Sequence, residues 1–87
     1  PGFTLVAPID LGYPDAARRA GKPGRVRLEV EIGPDGRVVK VRVLESTPGW
    51  GFEESARNAY ARARFSPPRW QGRPVRVLWR KTLLFQP

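Results

Sequence analysis

Eight carboxylates and no histidine or cysteine are all that this 87-residue chain offers for acid–base, nucleophilic or metal chemistry. A zinc or copper site would lack its usual ligands and a nucleophilic mechanism its usual base. The acids are Asp10, Asp15, Glu29, Glu31, Asp35, Glu45, Glu53 and Glu54. Their expected places are strand exteriors, a turn and helix starts, and the adjacent Glu53 and Glu54 do not converge from a helix. Each has a structural task, so the pattern speaks against an enzyme and no metal or cofactor is expected. What remains is binding. The formal net charge of +8 is carried mostly by arginine and draws the chain toward polyanions: nucleic acid, acidic lipid or an acidic protein segment. Arg18, Arg19, Arg25, Arg27, Arg37 and Arg42 are scattered rather than gathered in one run, which reads as a solvated surface. A nucleic-acid interface would want exposed aromatics among those charges, as sheets that bind RNA use. Of the three candidates, Trp50 and Trp70 fall in loops, where they are expected to plug the ends of a small core, and Trp79 falls in a strand.

The elements that must position a binding surface are legible from periodicity. Val26, Leu28, Val30 and Ile32 alternate with Arg27, Glu29 and Glu31, the period-two signature of a strand with one buried face. Gly33-Pro34-Asp35-Gly36 breaks the run, with Pro34 suited to a tight turn and Gly36 to a positive φ. Val39, Val41 and Val43 then alternate with Lys40 and Arg42, so Arg25 to Glu45 is a β-hairpin whose apolar face needs cover. Phe52, Ala56, Ala59, Tyr60 and Ala63 fall on one helical face. Glu53 and Glu54 stand in the first turn and Arg62 and Arg64 in the last, as the helix dipole favours. Ser66-Pro67-Pro68 ends that helix. Upstream, Pro14 to Ala20 is a short helix stopped by Gly21, with Ala16, Ala17 and Ala20 small enough to approach the sheet.

A third strand runs from Pro74 to Phe85. Val75, Val77, Leu83 and Phe85 share one parity, but Trp79 and Lys81 fall on it too, so either a bulge shifts the register or the strand's middle extends beyond the helix. A helix that crosses the sheet returns this strand beside the first, antiparallel to it. The expected fold class is therefore α+β: a three-stranded antiparallel sheet of order 2-1-3 with two helices on one face, in the sequence αββαβ. Residues 1–12 form an extended arm and residues 13–87 the domain. The last strand is then an edge with a row of unpaired amides, and Arg76 and Arg80 either guard it against aggregation or steer an acidic partner strand onto it.

In order along the chain, Tyr13-Pro14 with Ala16-x-Arg18, Gly24-x-Val26, Pro34-Asp35-Gly36-x-Val38, Ser46, Phe52 with Ala56 and Ala59, Phe65-x-Pro67 and Gly72-x-Pro74-Val75 resemble the TonB C-terminal domain family. The resemblance spans Tyr13 to Phe85. It implies a periplasmic domain of an inner-membrane-anchored protein, carried on a proline-rich linker and joined through its N-terminal part to an ExbB/ExbD motor. It also implies that the domain binds the TonB box of outer-membrane transporters by strand addition and transmits force for uptake of siderophores or vitamin B12. Carried onto this sequence, the partner strand pairs along Arg76, Val77, Leu78, Trp79, Arg80, Lys81, Thr82, Leu83 and Leu84, with Asp10, Leu11 and Tyr13 of the arm nearby. Membrane contact is expected only through the anchor upstream, and a homodimer stays open because the chain stops soon after the third strand. Phe3 to Val6 is apolar enough to cover the open edge itself, in which case removing residues 1–8 tightens peptide binding. The alternatives are a small basic nucleic-acid-binding module and a TolA-like envelope-integrity adaptor.

Overall fold

The computed structural model describes residues 2–7 and 9–87; of the expected arm, Pro1 and Pro8 lie outside the described residues. The alternating run becomes strand β1, Gly24–Ile32, in which Gly24, Val26, Leu28, Val30 and Ile32 are buried. A tight turn follows. Gly33 donates to the Arg37 carbonyl at 2.8 Å, Gly36 to the Gly33 carbonyl at 2.9 Å, and the Arg37 amide to Asp35 Oδ1 at 3.0 Å. Gly36 takes φ +86°, and a Cβ there would lie 1.9 Å from the Phe65 carbonyl oxygen. The position thus needs glycine for its conformation and for its neighbour.

Strand β2, Val38–Ser46, pairs antiparallel with β1, and the register shifts at two places. Ile32 faces Val38, Val30 faces Val41, Leu28 faces Val43 and Val26 faces Ser46. The expected core set of Val39, Val41 and Val43 is corrected at its first member. A bulge turns Val39 outward, 63% exposed, and puts Val38 against the core.

Helix α1 covers Asp15–Arg19, with Pro14 as its N-cap. Gly21 at φ +65° ends it: the Lys22 amide reaches the Ala17 carbonyl at 2.8 Å and the Gly21 amide that of Arg18 at 3.1 Å. Only Ala17 is buried; Ala16 and Ala20 face solvent, because five residues present a single inward position. Helix α2, Phe52–Ala61, buries Phe52, Ala56 and Tyr60 and packs across β1 and β2. It stops before Arg62 and Arg64, so its last turn carries no basic residue. Ala63 and Phe65 are nonetheless buried in the segment that follows.

The expected third strand, Pro74 to Phe85, begins later, at Val77, and its expected first residue belongs to a hairpin formed with the segment before it. Strands β3, Arg69–Trp70, and β4, Arg73–Pro74, form a separate two-stranded hairpin, and strand β5, Val77–Phe85, joins the main sheet. The central turn residues Gln71 and Gly72 both take positive φ, 51° and 80°, the conformation that turns a two-residue hairpin, and this spends Pro74 outside the long strand. Main-sheet order is β2-β1-β5, all antiparallel, as expected from the sequence. From Gly24↔Phe85 to Ile32↔Val77 the pairing runs without a shift, so no bulge explains Trp79 and Lys81. The second account holds instead. The backbone of α2 lies over β1 and β2 and reaches β5 only through long side chains, so Trp79 is covered by Tyr60 of α2 together with Phe3 and Phe65, with ring centroids at 6.2, 5.8 and 5.6 Å. Lys81 stays exposed, its ammonium 5.9 Å from the Trp79 ring centroid.

Phe52 centres the other end of the core, 4.8 Å from the Phe85 ring and 6.0 Å from Tyr13. Gly24 makes room for it, since a Cβ there would come within 2.4 Å of the Phe52 ring.

Candidate partner-binding edge

A strand's amides alternate sides as its side chains do, so the hydrogen bonds of β1 decide which groups of β5 are free. The Arg25 carbonyl accepts from the Thr47 amide at 2.9 Å, and the Arg25 amide donates to Thr47 Oγ1 at 3.0 Å. Farther along, the Gly33 amide also points toward the β2 side. Odd-numbered residues of β1 therefore face β2, and even-numbered ones face β5. Because Val26, Leu28 and Val30 oppose Leu83, Lys81 and Trp79, the odd residues of β5 spend their amides and carbonyls on β1. The even residues Leu78, Arg80, Thr82 and Leu84 aim theirs away from the sheet. No described strand pairs with that edge.

The same four residues project their side chains onto the face that no helix covers, and all four are exposed. Leu78 and Leu84 are 58% and 59% exposed, so the edge is flanked by apolar as well as polar groups. Arg80 Nε donates to Glu29 Oε2 at 3.3 Å, and the same carboxylate lies 3.7 Å from Arg42 Nη2 across β1. Arg76, just outside β5, reaches Glu31 Oε2 at 3.3 Å. Glu29 and Glu31 are 14% and 21% exposed at the side chain, whereas both arginines are at least 60% exposed. Arg76 and Arg80 thus anchor the edge to the centre of the sheet and keep outward-facing guanidinium surface. On the opposite face, Trp79, Lys81 and Leu83 line the strand, with Leu83 buried.

The arm residues divide. Tyr13 stands at the C-terminal end of β5, its ring 5.7 Å from Phe85 and its hydroxyl donating to the Lys22 carbonyl. Leu11 packs on the core. Asp10 lies apart from them, in a groove with Ser55, Asn58 and Arg62 of the α2 region, where Ser55 Oγ donates to the Gly12 carbonyl. Nor does the arm lie along β5. Val6 donates to the Arg64 carbonyl at 2.9 Å and Ser66 to that of Thr4 at 2.8 Å, with Leu5 bridged to Phe65. The segment after α2 pairs on one side with the β1–β2 turn, Phe65 donating to the Gly36 carbonyl at 2.9 Å, and on its other side holds the arm while Phe3 covers Trp79. Of the loop tryptophans, Trp50 is half-buried beneath Lys22, but Trp70 plugs nothing and is 67% exposed.

Three other acids serve local contacts. Asp15 pairs with Arg18 at 3.1 Å, Glu45 with Arg27 at 3.4 Å, and Glu53 with Arg57 at 3.2 Å. Among the described residues no three metal-ligating side chains come together. Burial raises the Tyr60 phenol above its ordinary value of 10.0.

Comparison with known proteins bears on the same elements. The family model described as the Gram-negative bacterial TonB protein C-terminal matches residues 10–86. Protein TonB of Pseudomonas aeruginosa is 42% identical over 55 residues, 63% of this chain and 16% of that protein. Protein TonB of Escherichia coli K12 is 36% identical over 55 residues, 63% of this chain and 23% of that protein. That of Klebsiella pneumoniae is 30% identical over 73 residues, 84% of this chain and 28% of that protein. This chain thus spans less than a third of each of these proteins. The solution NMR structure of the Pseudomonas aeruginosa TonB CTD matches at TM-score 0.81 and 32% identity, covering 98% of this chain and 86% of that one.

Proposed function

This chain belongs to the Gram-negative bacterial TonB protein C-terminal family, and from that premise we propose that it is a periplasmic adaptor that binds a segment of outer-membrane transporters by adding it as a strand to β5. The observation that carries this reading is the free edge at Leu78, Arg80, Thr82 and Leu84, continuous along β5 and uncovered by the arm. Backbone pairing supplies affinity with little demand on side chains, which suits one adaptor serving several transporters. The exposed Leu78 and Leu84 add apolar contact at either end, and Arg80 adds a cation in the middle. Tyr13 lies beside the far end of the docked segment. Segments upstream anchor the protein in the inner membrane and couple it to an ExbB/ExbD motor, and the domain passes force to the transporter. The task needs no catalysis and no cofactor.

Amide hydrogen exchange tests the edge directly. In the free domain the amides of Arg80 and Thr82 exchange fast while those of Lys81 and Leu83 are protected. Adding a synthetic TonB-box peptide should slow the even-numbered amides and leave the odd-numbered ones as they were. Protection that appears only on β2 or on α2 would sink the assignment.

A further inference from the structure

The β3–β4 hairpin contributes little to the core, yet the chain holds it firmly. Its base is closed by the Val75 amide donating to the Pro68 carbonyl at 2.8 Å, and Pro68 is fully buried. Its turn is tied by Arg69 Nη1 donating to the Gly72 carbonyl at 3.2 Å. Gln71 is the one described non-glycine residue with positive φ. All six residues from Arg69 to Pro74 are exposed, with the Trp70 indole opposite Arg73. Anchored backbone and a large aromatic in water are the signature of a contact surface rather than of packing.

The charge around it is mostly positive. Arg37 and Arg64 bridge each other's backbones beside the β1–β2 turn, at the end of the sheet from which β5 starts. With Arg69 and Arg73 they make four exposed arginines, and among the described residues the one carboxylate paired with any of them is Asp35, 3.7 Å from Arg37. Arg64, Arg69 and Arg73 form no salt bridge among the described residues. An exposed indole paired across the hairpin with an arginine, with further arginines at the same end of the sheet, matches a lipid headgroup layer, where the ring sits at the apolar boundary and the cations meet phosphate. The hairpin also leads directly into β5, so a surface met by the hairpin lies close to the start of the β5 edge.

Resting on the partner reading above, we propose that the β3–β4 hairpin is a docking tip for the anionic lipid surface in which that partner sits. Trp70 enters the headgroup layer, and Arg69, Arg73, Arg64 and Arg37 bind lipid phosphates around it. The contact aligns the β5 edge with the transporter before the strand pairs.

Flotation of the intact domain with phosphatidylcholine vesicles, with and without phosphatidylglycerol, tests this. Binding is expected only to the anionic vesicles. Trp70→Ala should weaken it about tenfold without altering the charge, and Arg69→Ala or Arg73→Ala about fivefold each. Arg18→Ala with Arg19→Ala, on α1 at the opposite end of the sheet, should do much less. No vesicle binding, an unchanged Trp70→Ala variant, or an equal loss from the α1 pair would each overturn the proposal. So would a Trp70-dependent affinity for single-stranded oligonucleotides in the absence of vesicle binding. TonB-box peptide binding measured in solution separates the two readings: Trp70→Ala leaves it intact, so its failure would strike the edge assignment and not the hairpin.

Discussion

Proline placed at successive positions of β5 reads the direction of its amides. Lys81 and Thr82 are both exposed, and neither side chain belongs to the core, so the two substitutions differ chiefly in backbone geometry. At Lys81 the lost N–H is the one given to Leu28 of β1, a fully buried residue in the middle of the sheet. An unsatisfied carbonyl there costs about 1–3 kcal/mol, and for a domain this small each kcal/mol lowers the Tm by roughly 4–8 °C. Lys81→Pro should therefore melt about 5–20 °C below the parent. At Thr82 the lost N–H points outward, so Thr82→Pro loses no sheet bond and should melt within about 5 °C of the parent. Binding should show the reverse order. Thr82→Pro removes a donor to the partner strand and sets a ring against it, weakening TonB-box peptide binding by about tenfold or more in calorimetry. The substitution Thr82→Pro is a cleaner probe than Arg80→Pro, which also removes the guanidinium from Glu29. A Thr82→Pro variant that unfolds while Lys81→Pro stays native would show that the parity is inverted. A folded Thr82→Pro variant with undiminished peptide affinity would refute the edge as the binding site.

Other perturbations test the frame that holds this edge. Gly36→Ala meets both an unfavourable φ and the Phe65 carbonyl, and should cost about 2 kcal/mol or more by urea titration. Phe3→Ala uncovers Trp79 and Phe65 and should lower stability by about 2 kcal/mol while leaving peptide affinity unchanged; tighter binding would restore the arm as a cover for β5. Glu29→Gln releases Arg42 and Arg80 together, a loss of about 1 kcal/mol that should fade as salt is raised. The Tyr60 phenol is raised by burial, so its contribution to stability is complete below pH 10.0 and is lost as the pH rises through the folded-state value. Tyr60→Phe should flatten that part of the pH–stability curve, and an unaltered slope would assign it to other groups.

The alternation of Val26 to Ile32 against its charged neighbours was enough to place β1, because both of its flanks are filled and one face is wholly buried. Sheet order followed from element order and the need for α2 to cross the sheet. The bulges of β2 were hidden. Val38-Val39 is a pair of equal residues, and only the partner strand decides which one faces inward. The Trp70-Gln71-Gly72-Arg73 turn carried a signal in its Gln-Gly pair, but Val75 and Val77 after Pro74 imitated a longer strand. The candidate site was legible as an edge strand, but which of its amides face outward was not. Side-chain parity shows which residues face the core, whereas the facing of the amides depends on how β1 divides its bonds between two neighbours. Asp10, Leu11 and Tyr13 are close in sequence, yet Asp10 is drawn to α2 and Tyr13 to Phe85 because the chain passes over the rim of the core between them.

The unbroken register between β1 and β5 has a mechanical consequence. Hydrogen bonds of an antiparallel ladder lie across the strands, so tension along β5 strains the whole row from Ile32↔Val77 to Gly24↔Phe85 together, in shear. Tension across the strand would instead peel one pair at a time. A ligand strand laid beside β5 inherits the same axis, and its own bonds are loaded collectively when it is pulled lengthwise. Such a joint can be modest in equilibrium affinity and still persist under load long enough to displace what it is tied to.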